Sequence, residues 1–322
     1  MNKKAMYFTI ITVVFLIIFT FYFSLAGYKP LSQKMNVVEM RVISMNDFIK
    51  DLERDTERGL YISSYRSFLA LESYIITNGT FIPDVSSYFT EALFNGTVHN
   101  SSSYFMSQST LPLWVDKIKD EAGSFNINLD IKIGNISISQ KDPWHVFVGV
   151  NFSYTINDSS GIASWDRKRY IETQLSIIGF EDPLYIIYSY GRMSNTINIT
   201  PYSIYAYQIN GEWNVSNLLS FIDNSYYQSN PSAPSYLMRL SNELGPSPYG
   251  IESMVDLVEL SQQGLDINDH SSIIDYHYWD DLSDGEYRIN FTPQWVKIDS
   301  LSLAFYNLTA ISCRIGDTGC II

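Results

Sequence analysis

The residues best suited to chemistry lie in one acidic stretch, DHSSIIDYHYWDDLSDGE, at residues 269–286. Its ionisable side chains are Asp269, His270, Asp275, His277, Asp280, Asp281, Asp284 and Glu286. Carboxylates beside imidazoles can perform general acid–base catalysis or hold a divalent ion. The spacing matches neither an EF-hand loop nor a helical zinc motif. A hydrolase site, a divalent-ion site and a solvated acidic loop are therefore the three hypotheses for this stretch.

A β-strand over residues 273–279 is the element expected to position this cluster. Side chains alternate between the two faces of a strand, so Asp275 and His277 would share a face with Trp279. No nucleophile elbow, phosphate-binding loop or dinucleotide fingerprint accompanies them. We therefore predict no catalytic, cofactor-binding or metal-binding residue in this sequence, and no cofactor.

The two cysteines of the chain, Cys313 and Cys320, lie close together in SCRIGDTGC. Gly316 and Gly319 can supply a turn between them, so we expect a disulfide loop in an oxidising compartment. Closing so small a ring stabilises the fold by about 2.5 kcal/mol on the loop-entropy formula. The alternative is two unrelated thiols. A zinc site would need two further ligands, and no histidine lies nearby.

Ten Asn-x-Ser/Thr sequons follow the first thirty residues, more than composition alone predicts. Such sequons accept N-linked glycans outside the cytoplasm. The candidate glycosylation sites are Asn78, Asn95, Asn100, Asn135, Asn151, Asn157, Asn198, Asn214, Asn290 and Asn307. The alternative explanation for the large number of sequons is that the loops are simply rich in Asn and Ser.

Residues 7–26 contain neither a charge nor a proline. Twenty helical residues span about 30 Å, the thickness of the hydrocarbon core of a bilayer. We expect a cytoplasmic tail at residues 1–6, a transmembrane helix at 7–27 and a helix break at Tyr28-Lys29-Pro30. Lys3 and Lys4 favour a cytoplasmic N-terminus, although Lys29 and Lys34 weaken the asymmetry. The alternative is a secretory signal cleaved after Ala26.

A third hypothesis for the N-terminus follows from Lys3-Lys4-Ala5, Met6 and the uninterrupted apolar stretch behind them. These residues resemble the leader of archaeal type IV pilin-like proteins. The resemblance implies cleavage between Ala5 and Met6 and assembly of a filament through the helix. The sequence departs from bacterial pilins at the fifth mature position, where Ile10 replaces their glutamate. Through SPYGIES (residues 247–253) and the anchor-plus-stalk layout, the chain also resembles archaeal membrane-anchored surface proteins, which implies no particular activity.

Apolar residues at helical spacing predict a long amphipathic stalk helix over residues 31–79. Val38, Val42, Met45, Ile49 and Leu52 lie on one face of it. Gly59 is a possible weak point in this helix, and Asn78-Gly79 is a good stop signal. The alternatives for this helix are a self-associating stem and an ordinary core helix.

Helices and an antiparallel β-meander are predicted for residues 80–190. We expect helices near 84–94 and 111–122. An antiparallel meander of at least four strands follows, with an alternating stretch from Phe125 to Ile138, alternating strands at 144–156 and 165–177, and a further strand at 184–190. A bulge is expected at Gly134, where the alternation changes phase. Residues 191–322 are predicted to form a smaller mixed C-terminal subdomain, with strands at 273–279 and 287–291 and a short helix capped by Asp299. The fold class is therefore α+β.

The net charge of −13, from 21 Lys+Arg and 34 Asp+Glu, argues against nucleic acid as a partner. The hydrophobic content of 46% argues against general disorder. The leading functional hypothesis is a single-pass glycosylated surface protein with a structural, adhesive or envelope-assembly role. Its expected partners are the bilayer, through residues 7–27, and further copies or other surface proteins. A pilin-like subunit and a membrane-tethered hydrolase are the alternatives.

Overall fold

The computed structural model describes residues 3–317 and Cys320, which combine helices with antiparallel strands. The longest element is α1, Lys3–Asn78, a helix of 76 residues. It ends as predicted, because Gly79 adopts a left-handed conformation (φ 63°) and donates its N–H to the carbonyl of Ile75 at 2.8 Å. The predicted break at Pro30 is wrong. Proline removes one backbone hydrogen bond, and the helical stretches on both sides maintain the helix across it.

The other elements are mostly short. The remaining helices are α2 (Val85–Asn95), α3 (Leu111–Ser124), α4 (Pro183–Tyr188), α5 (Ser216–Asp223), α6 (Tyr236–Leu240), α7 (Leu257–Gln262), α8 (Asp275–Trp279) and α9 (Ser300–Phe305), with 3₁₀ helices at Tyr104–Met106 and Thr309–Ile311. The strands are β1 (Thr97–Val98), β2 (Ser101–Ser102), β3 (Ile127–Asp142), β4 (His145–Asp158), β5 (Ser164–Ser176), β6 (Tyr207–Ile209), β7 (Glu212–Asn214), β8 (Gln228–Ser229), β9 (Ile251–Glu252), β10 (Tyr287–Ile289), β11 (Lys297–Ile298) and β12 (Ser312–Arg314).

The three long strands form a sheet in the order β3-β4-β5. Short turns join consecutive strands, which makes the sheet antiparallel. The alternation predicted for β4 is confirmed, because Val146, Val148, Val150, Phe152, Tyr154 and Ile156 are all buried. In β3 the burial pattern changes phase at Gly134 and Asn135, where two consecutive residues are exposed. The sequence pattern predicted this change of phase.

The fourth strand predicted for this meander is wrong, because residues 183–188 form helix α4. Asp182 caps this helix by accepting a hydrogen bond from the Leu184 N–H at 2.9 Å. Pro183 occupies the first turn, where its missing donor is harmless. The apolar run LYIIY is short enough to suit either a buried strand or a buried helix, and the Asp-Pro pair favours the helix.

The C-terminal part is built from small antiparallel sheets, β6-β7, β8-β9 and β11-β10-β12. Strand β10 confirms the strand predicted near residue 287. Helix α9 confirms the predicted cap, since the Asp299 carboxylate accepts the Ser302 N–H at 2.9 Å. The predicted strand at 273–279 is wrong, because residues 275–279 are helical.

The contacts divide the chain into two units. The first contains residues up to Thr56 together with 118–132 and 153–168. Within it, the Arg41 guanidinium donates to the Asp158 carboxylate at 2.7 Å and to the carbonyls of Phe125 and Asn126. Asp158 also accepts the Ser160 N–H in the β4–β5 turn. These bonds attach one position of the helix to that turn.

The second unit contains residues 57–117, 133–152 and everything from 169 onward. One hydrophobic cluster of this unit is assembled from α4, α5, α7, α8, α9 and the strands β10 and β11. Around Phe68 of α1, the rings of Phe89, Phe180 and Tyr236 have centroids 4.9, 6.2 and 6.4 Å away. The later part of α1 is therefore a core helix of this unit.

Candidate functional site

Asp275 and His277 lie on helix α8 rather than on the predicted strand, so their side chains point in different directions from those expected. On a helix Asp275 and Trp279 still share a face, because they are four residues apart, whereas His277 points away from both. Asp275 is completely buried, whereas His277 is half-buried. Asp275 points into the second unit and pairs there with Arg239.

Arg239 lies at the centre of a fully buried ion cluster. Its Nη1 is 2.6 Å from Asp182 Oδ2 and 2.8 Å from Asp275 Oδ2, and all three side chains are inaccessible to solvent. Nη2 donates to the carbonyl of Ile251. A buried charge needs such partners because its desolvation costs several kcal/mol. We call Arg239, Asp182 and Asp275 the buried ion triad.

Backbone and hydroxyl donors complete the triad. Asp182 accepts the Tyr227 hydroxyl at 2.8 Å, and Asp275 accepts the Ser253 N–H at 3.1 Å. Burial raises the pKa of Asp275 to about 6, against the opposing effect of Arg239. Burial would lower the pKa of Arg239, but the two aspartates raise it above its usual value. The triad joins α4, α6 and α8 and has no access for a substrate.

Two buried glutamates lie outside the triad. Burial raises the pKa of Glu252 to about 8, against a hydrogen bond from Asn230. It raises the pKa of Glu72 to about 8 as well, although Glu72 accepts the Tyr236 hydroxyl at 3.0 Å and the Glu181 N–H at 3.1 Å. Both side chains therefore hold a proton at neutral pH. Because both are enclosed, this proton stabilises the core rather than serving as a reactive acid.

His277 and Asp299 do not form a catalytic pair with a serine. His277 Nε2 is 4.0 Å from Asp299 Oδ2, and burial lowers the pKa of the imidazole. Burial acts to raise the pKa of Asp299, but hydrogen bonds from Ser302 and Ser272 lower it below its usual value. Both serine hydroxyls donate to the carboxylate. A Ser-His-Asp triad needs a serine hydroxyl bound to the imidazole, whereas these serines bind Asp299, which is the arrangement of a helix cap.

The other members of the acidic stretch lie at the surface, where most have their own partners, and three of them, His270, Asp284 and Glu286, line one hollow. Asp280 accepts the Tyr188 hydroxyl, and Asp281 accepts the Asn268 amide. Asp269 and His270 are exposed, with Asp269 Oδ1 3.4 Å from His270 Nε2. Among residues 3–317 and Cys320, no three His, Cys, Asp or Glu side chains lie close enough together to hold a metal ion. The divalent-ion and hydrolase hypotheses receive no support from the described residues.

An open hollow beside the β11-β10-β12 sheet is a better candidate for a binding site than the buried ion triad. Its volume is about 530 Å³, within the range of ligand pockets. Asp269, Arg288, Gln294, Trp295, Lys297 and Asp317 line it. A second hollow of about 560 Å³ shares Lys297 and Ile315 with the first. We call the two together the C-terminal cleft.

The disulfide predicted from the sequence is confirmed. Cys313 and Cys320 are bonded, with their Cα atoms 5.4 Å apart. Cys313 lies on β12 and Cys320 lines the C-terminal cleft. The bond therefore holds one wall of the cleft against the sheet.

The asparagines of the ten sequons are accessible. Asn157 and Asn214 are half-buried, and the other eight are exposed. By contrast, the buried Asn230 is followed by Pro231, which excludes it from the sequon pattern. None of the ten predicted asparagines is buried.

Sequence reasoning missed the triad residues Asp182 and Arg239, as well as Glu72 and Trp295. Arg239 lies in the apolar run SYLMRL, and an arginine on an otherwise apolar helix was the one available sign of a buried ion pair. Its partners are 57 and 36 residues away, a distance at which sequence pattern gives no pairing.

Comparison with known proteins gives no relative from which a role can be transferred. No protein-family model, no curated protein and no solved structure matches this chain. The function must therefore be inferred from the chain itself.

Proposed function

We propose that this protein is a single-pass membrane protein whose larger part lies outside the cytoplasm, where it has a structural, adhesive or envelope-assembly role. The observation that carries the proposal is the segment Tyr7–Ser24 of α1. It has a mean hydropathy of 2.2, and none of its residues is buried. Exposing so much apolar surface to water costs about 25 cal/mol per Å², and a bilayer removes that cost.

The continuity of α1 supports an anchor over a signal removed after Ala26. The backbone remains helical through residue 26 and onward to Asn78. Helix α1 therefore contains both the membrane-length segment and the residues that enter the folded core, such as Phe68.

The accessible sequons support an outward orientation. All ten follow the apolar segment, and none of their asparagines is buried. Glycosylation occurs outside the cytoplasm, so glycans on these residues require the larger part to be translocated. Lys3 and Lys4 favour the matching orientation, with the N-terminus inside.

Alkaline extraction of membranes tests whether the segment Tyr7–Ser24 anchors the chain. The variant Val14→Lys with Ile17→Lys places two charges at the centre of the segment, where each costs about 2.5–3.5 kcal/mol. The full chain should remain in membranes after alkaline extraction, whereas this variant should be released. The control, Val14→Leu with Ile17→Leu, should stay in the membrane fraction. Release of the unaltered chain, or glycopeptide masses that show no glycan on any sequon, contradicts the proposal.

A filament subunit is a second candidate, favoured by residues 35–43 of α1. Six apolar residues there are exposed: Met35, Val37, Val38, Met40, Val42 and Ile43. At 100° per residue these side chains are distributed around the helix, between the polar Glu39 and Arg41, and exposed apolar side chains that lie together mark a surface for association. Copies of the same helix would cover it in an assembly.

Sequencing of the mature N-terminus tests this second candidate. A mature chain that begins at Met6, together with filaments that contain it in electron micrographs, supports a pilin-like subunit. A mature chain that retains the residues before Met6, without filaments, leaves the anchored monomer as the better proposal.

A further inference from the structure

Asn151 lies on β4, the central strand of the β3-β4-β5 sheet, and Tyr170 lies on the neighbouring strand β5. Where these two strands meet at one end, the Ile177 N–H donates to the carbonyl of Trp144 at 3.0 Å. Asn151 and Tyr170 each lie seven positions from that bond, so the antiparallel register places them opposite each other. Because seven is odd, they form a non-hydrogen-bonded pair, the kind whose side chains lie closest together.

The ring of Tyr170 lies across the exposed face of the sheet beside Asn151. A Cβ atom at Gly149 would overlap the Tyr170 hydroxyl, so only glycine leaves room for the ring there. Gly149 and Asn151 are two residues apart on one strand and therefore lie on the same face of the sheet. Tyr170 is nevertheless 56% exposed. The part of its ring that does not cover Gly149 is open to solvent.

Hydrogen bonds hold the Tyr170 ring in this position. Its hydroxyl donates to Glu172 Oε1 at 3.1 Å and lies 3.4 Å from Ser137 Oγ. The same carboxylate accepts the Lys141 ammonium at 2.6 Å. An aromatic surface that is already fixed loses little conformational entropy when another group packs against it.

The space beside Asn151 on the third strand is also left open by a glycine. A Cβ atom at Gly134 of β3 would lie 3.2 Å from the Cβ atom of Asn151, so these two positions are neighbours. Asn151 is exposed, and Ser153 completes its sequon. A bulky group on the Asn151 amide therefore meets no side chain at Gly134 and can lie against the ring of Tyr170.

We propose that Asn151 carries an N-linked glycan whose first sugar packs against the ring of Tyr170 and thereby stabilises this sheet. The proposal rests on the outward orientation proposed above, because the modification occurs outside the cytoplasm. The C–H groups on the face of a pyranose ring carry partial positive charge, which suits the negative face of an aromatic ring. The first sugar is joined directly to the asparagine amide. It therefore needs to reach only the cross-strand neighbour, whose Cβ atom is about 4.5–5.5 Å away.

Glycopeptide mass spectrometry tests the modification itself. The full chain is purified from the membranes of the cells that make it, and the expected result is a glycan on Asn151 in most molecules. An unmodified Asn151 in a chain whose other sequons carry glycans overturns this inference and leaves the proposed function intact. The absence of a glycan from every sequon contradicts both.

A double-mutant cycle in the full chain, measured as Tm in detergent, tests the contact. Asn151→Gln removes the glycan and should lower the Tm by about 2–4 °C. Tyr170→Ala should lower it by at least as much in the glycosylated chain, and by clearly less in the Asn151→Gln background. Tyr170→Phe keeps the ring and should retain most of the stability. A difference between the two backgrounds measures the interaction between sugar and ring.

Two controls separate the effect of the glycan from that of the altered amino acid. Ser153→Ala destroys the sequon without changing Asn151, and should reduce the effect of Tyr170→Ala as Asn151→Gln does. Asn290→Gln removes a sequon next to β10 and should leave the effect of Tyr170→Ala unchanged. Equal destabilisation by Tyr170→Ala with and without the Asn151 glycan would show that the sugar does not touch the ring, and would overturn the proposed contact.

Discussion

Two segments of helix α1 are rich in apolar residues but have opposite surroundings. Every residue of Tyr7–Ser24 is exposed, whereas Leu60, Phe68, Leu71 and Ile75 are buried. The first segment is apolar all round, whereas the second has one apolar face and carries Arg58 and Arg66 on the others. An all-round apolar helix suits lipid, and a helix with one apolar face suits a protein core. The distribution of apolar residues around the helix therefore distinguishes the two segments better than their number.

The largest expected effect comes from removing a ring in the buried segment. Phe68→Ala should lower the free energy of unfolding by about 3–5 kcal/mol, because it leaves a cavity between Phe89, Phe180 and Tyr236. Denaturant unfolding of the full chain in micelles measures the change. The matched variant Phe15→Ala, in the exposed segment, should alter it by less than about 0.5 kcal/mol. Equal effects of the two variants would remove the distinction between the segments.

A pH effect is expected from Glu72, which lies in the buried segment. Burial raises its pKa from 4.5 to about 8. Between these values the folded state holds a proton that the unfolded state has lost, so stability falls as the pH rises. The slope from this residue is at most about 1.4 kcal/mol per pH unit. The contribution is fully present below about pH 4.5 and is lost as the pH rises through about 8.

Glu72→Gln tests this effect, because glutamine keeps the contact with Tyr236 and cannot ionise. The variant should reduce the difference in unfolding free energy between pH 5 and pH 7.5. Part of the difference should persist, since Glu252 acts in the same direction, and the double variant with Glu252→Gln should reduce it further. The control Glu39→Gln removes an exposed charge from the same helix. If Glu72→Gln leaves the pH dependence of unfolding unchanged, Glu72 is already ionised in the folded protein.

A smaller effect is expected at Gly59 in the buried segment. A Cβ atom at this position would lie 2.6–2.8 Å from three atoms of the Trp114 indole. Gly59→Ala should therefore destabilise the protein by about 1–3 kcal/mol, despite the better helix propensity of alanine. Gly123→Ala is the matched control on α3, where no atom lies within 4 Å of the added carbon. It should instead stabilise the protein by about 0.4–1 kcal/mol, and both changes are measured as midpoints of denaturant unfolding.

The fold was predictable where one local pattern had a single interpretation. The alternating pattern predicted strand β4 correctly, and the helix predicted near 84–94 and the helix cap predicted at Asp299 are confirmed. Short apolar runs failed, because residues 184–190 and 273–279 suit a strand or a helix equally well by periodicity. In both segments, contacts with residues distant in the sequence favour the helix. The fully buried Asp182 and Asp275 each pair with Arg239 from a helix that lies far away in the sequence.

The candidate site was less predictable than the fold. The titratable stretch at 269–286 attracted attention because its residues are reactive types. The structure instead buries Asp275 in the ion triad, and no three His, Cys, Asp or Glu side chains among the described residues lie close enough together to hold a metal ion. The C-terminal cleft combines Arg288, Trp295 and Lys297 from two strands and a turn, and none of these residues forms a motif with its sequence neighbours. Of the features in this region, only the Cys313–Cys320 disulfide was predicted from the sequence, because the two cysteines are just seven positions apart.

The smallest expected effect concerns residues 35–43, the exposed apolar stretch between the two compared segments. Val37 is 57% exposed, so Val37→Gln should change the free energy of unfolding by less than about 0.5 kcal/mol. If other copies cover this stretch in an assembly, the same variant should reduce crosslinking between subunits in membranes. A loss of crosslinks without a loss of stability would favour the filament candidate, and unchanged crosslinking with unchanged stability favours an anchored monomer. A loss of stability above 1 kcal/mol would instead mean that the folded part of the same chain covers Val37, in contradiction to its exposure.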